Sequence, residues 1–481
     1  MALAFGLLTV VGANLARAAP SPSPSEEPAP PASRPEKPLP PGAKRELPDY
    51  SGRGAEPTTV GDVLLWIPRV VFSPLYFVSE FLVRRPLGWV VASAEEQEIP
   101  QKVVDLLTFG PENNVGIIPT GIIDFGFRPS VGVYFFYNDF LARTNKLRAR
   151  VAFGGADWLL LNLADRVEPT PRERIGVRAE FSYRPDHLFH GFGPESGSRR
   201  ARYKSTLAEA GFAYGADLWR SSRFESFSAV RHSSFDLDTG AFDDPTVGEE
   251  IRRGRYPTPP GAEGFSVVRS GFVATLDTRR PRDLADAPSG SDFVSPPGTG
   301  LRLQFRGEHA ASLSDAPRVS PQEPRRYEWL KYGGSLGGYL DLSGEQRVLG
   351  LTVAAELTDP TEPRGAIPFT EQATLGGNRY MRGFLEGRLV DRTAALATLE
   401  YEWPVWVWLD GTLHYAVGNV YAARFANFES ELLRQSFGLG LRSSGNRDHA
   451  FELLVAFGTE TFADGAEVEN VRLLLGATSG F

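Results

Sequence analysis

From about residue 114 to the C-terminal Phe481, apolar side chains recur at every second position in long runs, and this periodicity constrains the chain more than any other feature. Ile175, Val177, Ala179, Phe181 and Tyr183 form one face of a segment whose other face carries Gly176, Arg178, Glu180 and Ser182. Leu301, Leu303 and Phe305 alternate in the same way with Arg302, Gln304 and Arg306. Leu349 to Leu357 and Phe451 to Phe457 repeat the pattern. The runs are about 10 to 15 residues long, whereas strands of a soluble sandwich average about 5 or 6. The longer value suits a tilted strand crossing a bilayer, and only a closed barrel leaves no unpaired sheet edge in lipid. The expected fold is all-β: a 16-stranded antiparallel transmembrane barrel over residues 114–481.

The sixteen strands are placed at 114–126, 129–138, 145–153, 156–164, 172–184, 203–217, 221–235, 264–279, 298–312, 326–341, 345–358, 392–405, 409–421, 434–445, 448–459 and 468–481. Long connectors (185–202, 236–263, 313–325, 359–391, 422–433) follow odd-numbered strands. Short turns follow even-numbered ones, with 280–297 the exception. That parity assigns the two ends of the barrel, since membrane barrels keep their short turns on the periplasmic side.

The N-terminal part reads differently. Residues 1–18 carry an apolar run, Leu3 to Val11, and an Ala16-Arg17-Ala18 site, which predicts a secretory signal peptide. Residues 19–58 are Pro-rich and charged and read as a disordered linker. Residues 59–113 contain apolar bursts such as Val63 to Ile67 and Leu87 to Val91, broken by Pro68, Pro74 and Arg84. They predict short amphipathic helices, either lying in the membrane interface or packed against the rest of the chain. No uninterrupted apolar window of about 18 residues occurs after the first twenty positions, so no membrane-spanning helix is expected.

Composition removes several function classes. The chain has no Cys, which rules out thiolate metal sites and cysteine nucleophiles. The net charge is -8, with dispersed basic residues, and nucleic acid is not an expected partner. Six His are scattered (His187, His190, His232, His309, His414, His449), and no G-x-S-x-G or H-E-x-x-H motif occurs. No enzymatic activity, cofactor or metal is expected.

The connector before the twelfth strand reads Leu375-Gly376-Gly377-Asn378-Arg379-Tyr380-Met381-Arg382-Gly383-Phe384, and the strand after it contains Leu399-Glu400-Tyr401-Glu402-Trp403. This resembles the barrel domain of the BamA/TamA outer-membrane assembly superfamily, the bacterial surface antigen family. The resemblance extends to Gly191-Phe192-Gly193-Pro194-Glu195-Ser196, similar to an external G-x-G-x-x-S turn of that family, and to Asp277-Thr278-Arg279, similar to its D-x-R element. It implies that the loop bearing Gly376, Gly377, Arg382, Gly383 and Phe384 folds back into the lumen. An Arg held there needs carboxylates to offset its desolvation, and alternation puts Glu400 and Glu402 on the lumen side. Where relatives carry F-x-D-x-G, this chain has His414-Tyr415-Ala416-Val417-Gly418, so Arg382 must rely on Glu400, Glu402 or a substitute. Phe481, a terminal aromatic on an alternating strand, reads as the C-terminal insertion signal of an outer-membrane barrel. About 50 residues outside the Pro-rich stretch precede the barrel, too few for a polypeptide-transport-associated domain.

The resemblance implies location in the bacterial outer membrane and a role in insertion or translocation of protein or lipid. Outer-membrane lipids, client outer-membrane proteins or lipoproteins are then the expected partners, and the barrel is expected to be monomeric. The alternative is a passive diffusion pore or solute channel whose lumen charges, such as Arg178, Glu180, Arg302, Arg306 and Glu308, set selectivity.

Overall fold

The computed structural model describes residues 106–110, 113–279, 298–315, 326–342, 346–363, 365–406, 409–443 and 449–479, together with Val70. The expected signal peptide, the Pro-rich linker, nearly all of the helical segment and Phe481 lie outside the described residues. The described part is a closed antiparallel barrel.

Its strands are β1 (Val115–Asp124), β2 (Ser130–Asn138), β3 (Asn145–Phe153), β4 (Leu159–Thr170), β5 (Glu173–Phe189), β6 (Ala201–Asp217), β7 (Arg223–Asp236) and β8 (Phe265–Asp277). They continue as β9 (Gly300–Ser312), β10 (Glu328–Asp341), β11 (Val348–Pro360), β12 (Thr393–Trp406), β13 (Leu409–Tyr421), β14 (Arg434–Ser443), β15 (His449–Thr461) and β16 (Val468–Ser479). Each pairs with its neighbour in sequence, and β16 returns to β1 to close the sheet.

The dyad pattern explains why these segments are strands and which way they face. On β9, Leu301, Leu303 and Phe305 are 60 %, 51 % and 50 % exposed, while the intervening Gln304 is 2 % exposed. Apolar faces this open would be a severe liability in water, and they match the lipid-facing side of a membrane barrel. Polar residues occupy the opposite, lumen side.

Two strands depart from the sequence expectation by five residues or more at one end. β4 runs over 159–170 rather than 156–164, because Gly154 and Gly155 turn the chain and Trp158 closes that turn with a backbone hydrogen bond to Gly155. β5 continues through Pro185 to Phe189, where a connector was expected to begin. The β5–β6 register shifts between Arg184 and His187, and that irregularity accommodates a proline that has no N–H to donate.

Among the described residues, the closure is the shortest junction in the wall. Among the described residues, β16 and β1 pair at Leu474–Asp124, Leu475–Ile123 and Gly476–Ile122, with one more backbone hydrogen bond from the Phe125 N–H to the Leu473 carbonyl at 3.0 Å. By contrast, β11–β12 pair continuously from Val348–Glu402 to Leu357–Thr393.

The inward loop and the seam it holds

The connection 361–392 folds into the lumen instead of standing away from the barrel. Within it, Ala373–Leu375 pairs with Leu389–Asp391 as a two-stranded stalk. Gly376 and Gly377, at φ +110° and +76°, reverse the chain at the end of that stalk. A side chain at Gly376 would lie 2.5 Å from the Leu385 carbonyl oxygen. Beyond the turn, Met381 sits at φ +51°, a conformation that costs a non-glycine residue about 1 kcal/mol or more. Its side chain is buried with Leu375, Phe384 and Leu389 against Ala354, Ala394, Leu396, Ala416 and Val420 of the wall.

The wall is flat where the loop tip meets it. The Gly383 backbone N–H donates to Ser436 Oγ at 2.8 Å, and a side chain at Gly383 would overlap the Phe457 carbonyl. The fully buried Phe384 ring covers Gly458, where an added Cβ would be 2.7 Å from the ring. The Arg-Gly-Phe triplet thus docks on β14 and β15, which supply Ser436, the Phe457 carbonyl and Gly458 at the contact.

Arg382 is 7 % exposed and forms a close ion pair with Glu452 on β15. Glu400 lies 3.9 Å from it, at the edge of ion-pair range. Glu402, the other candidate partner, engages Arg442 of β14 instead. The carboxylate missing at Ala416 is therefore replaced by one two strands further round the wall. His414 faces the lumen beside Gly438, buried, with neither ring nitrogen hydrogen-bonded.

Arg472 of β16 is 2 % exposed and joins three parts of the structure. Its Nε and Nη2 donate to the two carboxylate oxygens of Asp124 on β1, at 3.0 and 2.7 Å. Its Nη1 donates to the Gly377 carbonyl at 2.5 Å and the Arg382 carbonyl at 3.3 Å, and its Nη2 to Asn378 Oδ1 at 2.5 Å. One guanidinium spans the seam and holds the loop tip. Charged, buried and nearly saturated hydrogen bonds of this kind are the strong ones.

A second clamp closes the long-connection end. Arg388 of the loop donates to Ser196 Oγ and the Ser196 carbonyl, both at 2.9 Å, and pairs with Glu469 of β16. Arg434 pairs with the same Glu469 at 2.8 Å and also donates to the Pro194 and Ser196 carbonyls. Asn419 donates to the Pro194 carbonyl at 3.1 Å, and Gly193 N–H to Val390. The Gly191 to Ser196 turn is thereby fastened to loop and wall together. Beside it, His190 is buried, and burial drives its pKa well below the ordinary value; Arg388, Arg200 and Arg202 push the same way, against a hydrogen bond with the Gly387 backbone.

At the other end, Asp277 accepts from Arg279 Nε at 3.0 Å and Nη2 at 2.7 Å, and the guanidinium lies 3.6 Å from the Tyr339 ring centroid. This pair fixes the exit of β8.

Between the loop and the lumen side of β3 to β12 lies a cavity of about 690 Å³, lined by residues that include Arg178, Arg269, Arg306, Lys331 and Arg379. The acidic partners of these cations are shared. Glu209 binds Arg178, Arg231 and Arg269, at 3.0, 2.7 and 2.8 Å. Glu356 binds Arg306 and Lys331, at 3.1 and 3.2 Å.

Sequence reasoning reached the loop tip and one flanking carboxylate, Glu400. It missed Asp124, Arg388, Arg434, Glu452, Glu469 and Arg472. Strand parity already put Glu452 and Arg472 on the lumen side, opposite Phe451 and Val471. Their engagement with the loop depends on inter-strand register, which no single segment encodes.

A sixteen-stranded closed barrel with an apolar outer face and a long loop latched in its lumen is the architecture of an outer-membrane β-barrel. Residues 289–468 match the Omp85 superfamily domain, a stretch that contains the inward loop and most of its docking wall. The family resemblance read from the loop motif therefore holds for the C-terminal part of the barrel. Among solved structures, BamA from Haemophilus ducreyi lacking POTRA domains 1-3 is similar at 14 % identity and a TM-score of 0.49, over 76 % of this chain and 70 % of that one. CdiB from Acinetobacter baumannii is 12 % identical (TM-score 0.44; 76 % and 59 % covered) and CdiB from Escherichia coli 11 % identical (0.47; 76 % and 64 %). The chain thus spans less than two thirds of either CdiB. No curated protein sequence matches it.

Proposed function

We propose that this barrel sits in the bacterial outer membrane, with its short turns toward the periplasm, and assists insertion or translocation of protein or lipid by opening at the β1–β16 seam. The observation that carries this reading is the coupling of a seam with three strand pairs among the described residues to an inward loop through Arg472. Few backbone pairs hold the seam, so side-chain bonds decide whether it stays shut. Arg472 makes its full set of bonds, two to Asp124 and three to the loop tip, only while the loop tip is in place. Withdrawing the loop removes the Gly377, Asn378 and Arg382 acceptors at once and leaves Arg472 with Asp124 alone among these partners. The role is not enzymatic: it moves strands and loops and breaks no covalent bond. Expected partners are outer-membrane lipids and client membrane proteins or lipoproteins.

The lumen cavity favours a second reading, a diffusion pore for small solutes. Depletion of the protein in its host separates the two. Reduced amounts of other folded outer-membrane barrels, with unchanged small-solute uptake, support the seam-opening role; altered uptake with normal barrel levels supports the pore.

A further inference from the structure

The two edges of β1 differ in kind. The Asn114 carbonyl accepts the Asn138 N–H of β2 at 2.8 Å, and the Phe125 N–H donates to the Leu473 carbonyl of β16 at 3.0 Å. Backbone groups of an antiparallel strand alternate between its two neighbours, so even-numbered positions of β1 address β2 and odd-numbered ones address the seam. Pro119 is odd-numbered. It has a carbonyl but no N–H to give, and it stands on the edge that β16 must cover.

The register shows where that matters. Leu475 faces Ile123 and Gly476 faces Ile122. Continued downward, the same register sets Ala477 against Gly121 and Ser479 against Pro119. β16 does run on as a strand to Ser479, and β15 pairs with it that far, at His449–Ser479. Its pairing with β1 nevertheless ends at Gly476 among the described residues. A rung at Pro119 would give the Ser479 carbonyl no donor, and a carbonyl orphaned beside lipid costs free energy comparable to a lost hydrogen bond. The ladder stops short of the position that cannot complete it.

Below Pro119 the edge has another occupant. Thr108 and Phe109 lie against Gly116 and Val115 as a two-residue antiparallel strand, which Gly110, at φ +81°, helps turn into β1. Phe109 is 44 % exposed, like the outward Ile117 and Ile123 at 43 % and 44 %. The lower edge of β1 is thus blunted by a proline and covered by chain that precedes the barrel, two devices that keep sheet edges from pairing.

We propose that Pro119 is the stop of the β1–β16 ladder: by withholding one donor it leaves the short-turn half of the seam unzipped and sets how readily the seam opens. The inference deepens the seam-opening reading and rests on it for its use in the cell. The backbone claim stands on register and proline chemistry alone.

The test is amide hydrogen exchange of the refolded full chain in detergent, followed by mass spectrometry on peptides covering residues 474–481 in the parent, Pro119→Val and Phe109→Pro. Pro119→Val restores the donor, so the Ala477 and Ser479 amides should gain β1 acceptors and exchange about fivefold more slowly, the scale of one net hydrogen bond. Phe109→Pro removes a backbone donor of the covering segment and should leave that exchange as in the parent. If Pro119→Val loses its β-sheet circular dichroism, Pro119→Ala replaces it with the same expectation. Unchanged exchange in a folded variant with the donor restored overturns the proposal. Slowing in Phe109→Pro alone makes the covering segment the stop and overturns it too. Cells that depend on Pro119→Val separate the stop from the function. Fewer folded outer-membrane barrels at normal levels of the variant support both, whereas slowed exchange with normal barrel levels keeps the stop and counts against seam opening.

Discussion

Arg472 on the last strand and Asp124 on the first are joined by two hydrogen bonds of 3.0 and 2.7 Å across the barrel seam, and the same arginine holds the tip of the inward loop. Seam and loop are therefore thermodynamically linked: an event that loosens one weakens the other. A double-mutant cycle between Arg472→Gln and Asp124→Asn should give a coupling of about 1.5–3 kcal/mol. The cycle is read from the denaturation midpoints of refolded protein. Asn378→Ala should lower that coupling, because it removes one of the bonds that orient the guanidinium.

Arg382 and Glu452 form the most enclosed ion pair of the loop tip. Arg382→Ala leaves Glu452 buried without its partner, a change expected to cost about 3–5 kcal/mol and to release the loop. Glu452→Gln should be more disruptive than Glu402→Gln, since the latter breaks a more exposed pair worth about 1 kcal/mol. Trypsin cleavage after Arg379 and Arg388, slow in the parent, should become rapid in Arg382→Ala and in Glu452→Gln and stay slow in Glu402→Gln.

Gly383 tolerates nothing larger, because the position of its missing side chain is taken by the Phe457 carbonyl of β15. Gly383→Val should keep the loop tip from docking, at a cost of about 1–3 kcal/mol in thermal stability, and expose the same tryptic sites. Gly197→Ala, with nothing within 4 Å of the added carbon, is the matched control and should behave as the parent.

Much of this architecture was legible from periodicity alone. Sixteen strands and their parity follow from alternation, and the glycines around Arg382 marked the loop. What stayed hidden had specific causes. Pro185 reads as the start of a connector, yet a register shift carries β5 past it to Phe189. Arg382 meets Glu452, 70 positions later in the chain, because four strands bring β15 round to the loop tip. Periodicity fixes the face a residue occupies, whereas register fixes which residue it meets.

His190 makes the external clamp sensitive to acid. Its pKa is depressed by burial, with Arg388, Arg200 and Arg202 around it, so the folded state binds a proton less readily than the unfolded chain. Its contribution to stability is full above about pH 6.5, the ordinary histidine value, and is lost as pH falls from there toward the depressed value. Thermal midpoints between pH 7.5 and 5 should fall for the parent, and His190→Gln should remove part of that slope.

The seam itself offers the most direct test. Ile123 and Leu475 face each other across it, both point outward, and the chain has no native cysteine. Ile123→Cys/Leu475→Cys can therefore be closed by oxidation and reopened by reductant in an otherwise unreactive background. The measurement is the amount of folded outer-membrane barrels in cells that depend on this variant, before and after reduction. If the seam must open, oxidised cells should lose folded barrels and recover them on reduction, while parent cells respond to neither treatment. Full barrel levels in cells whose seam is completely cross-linked would contradict the account.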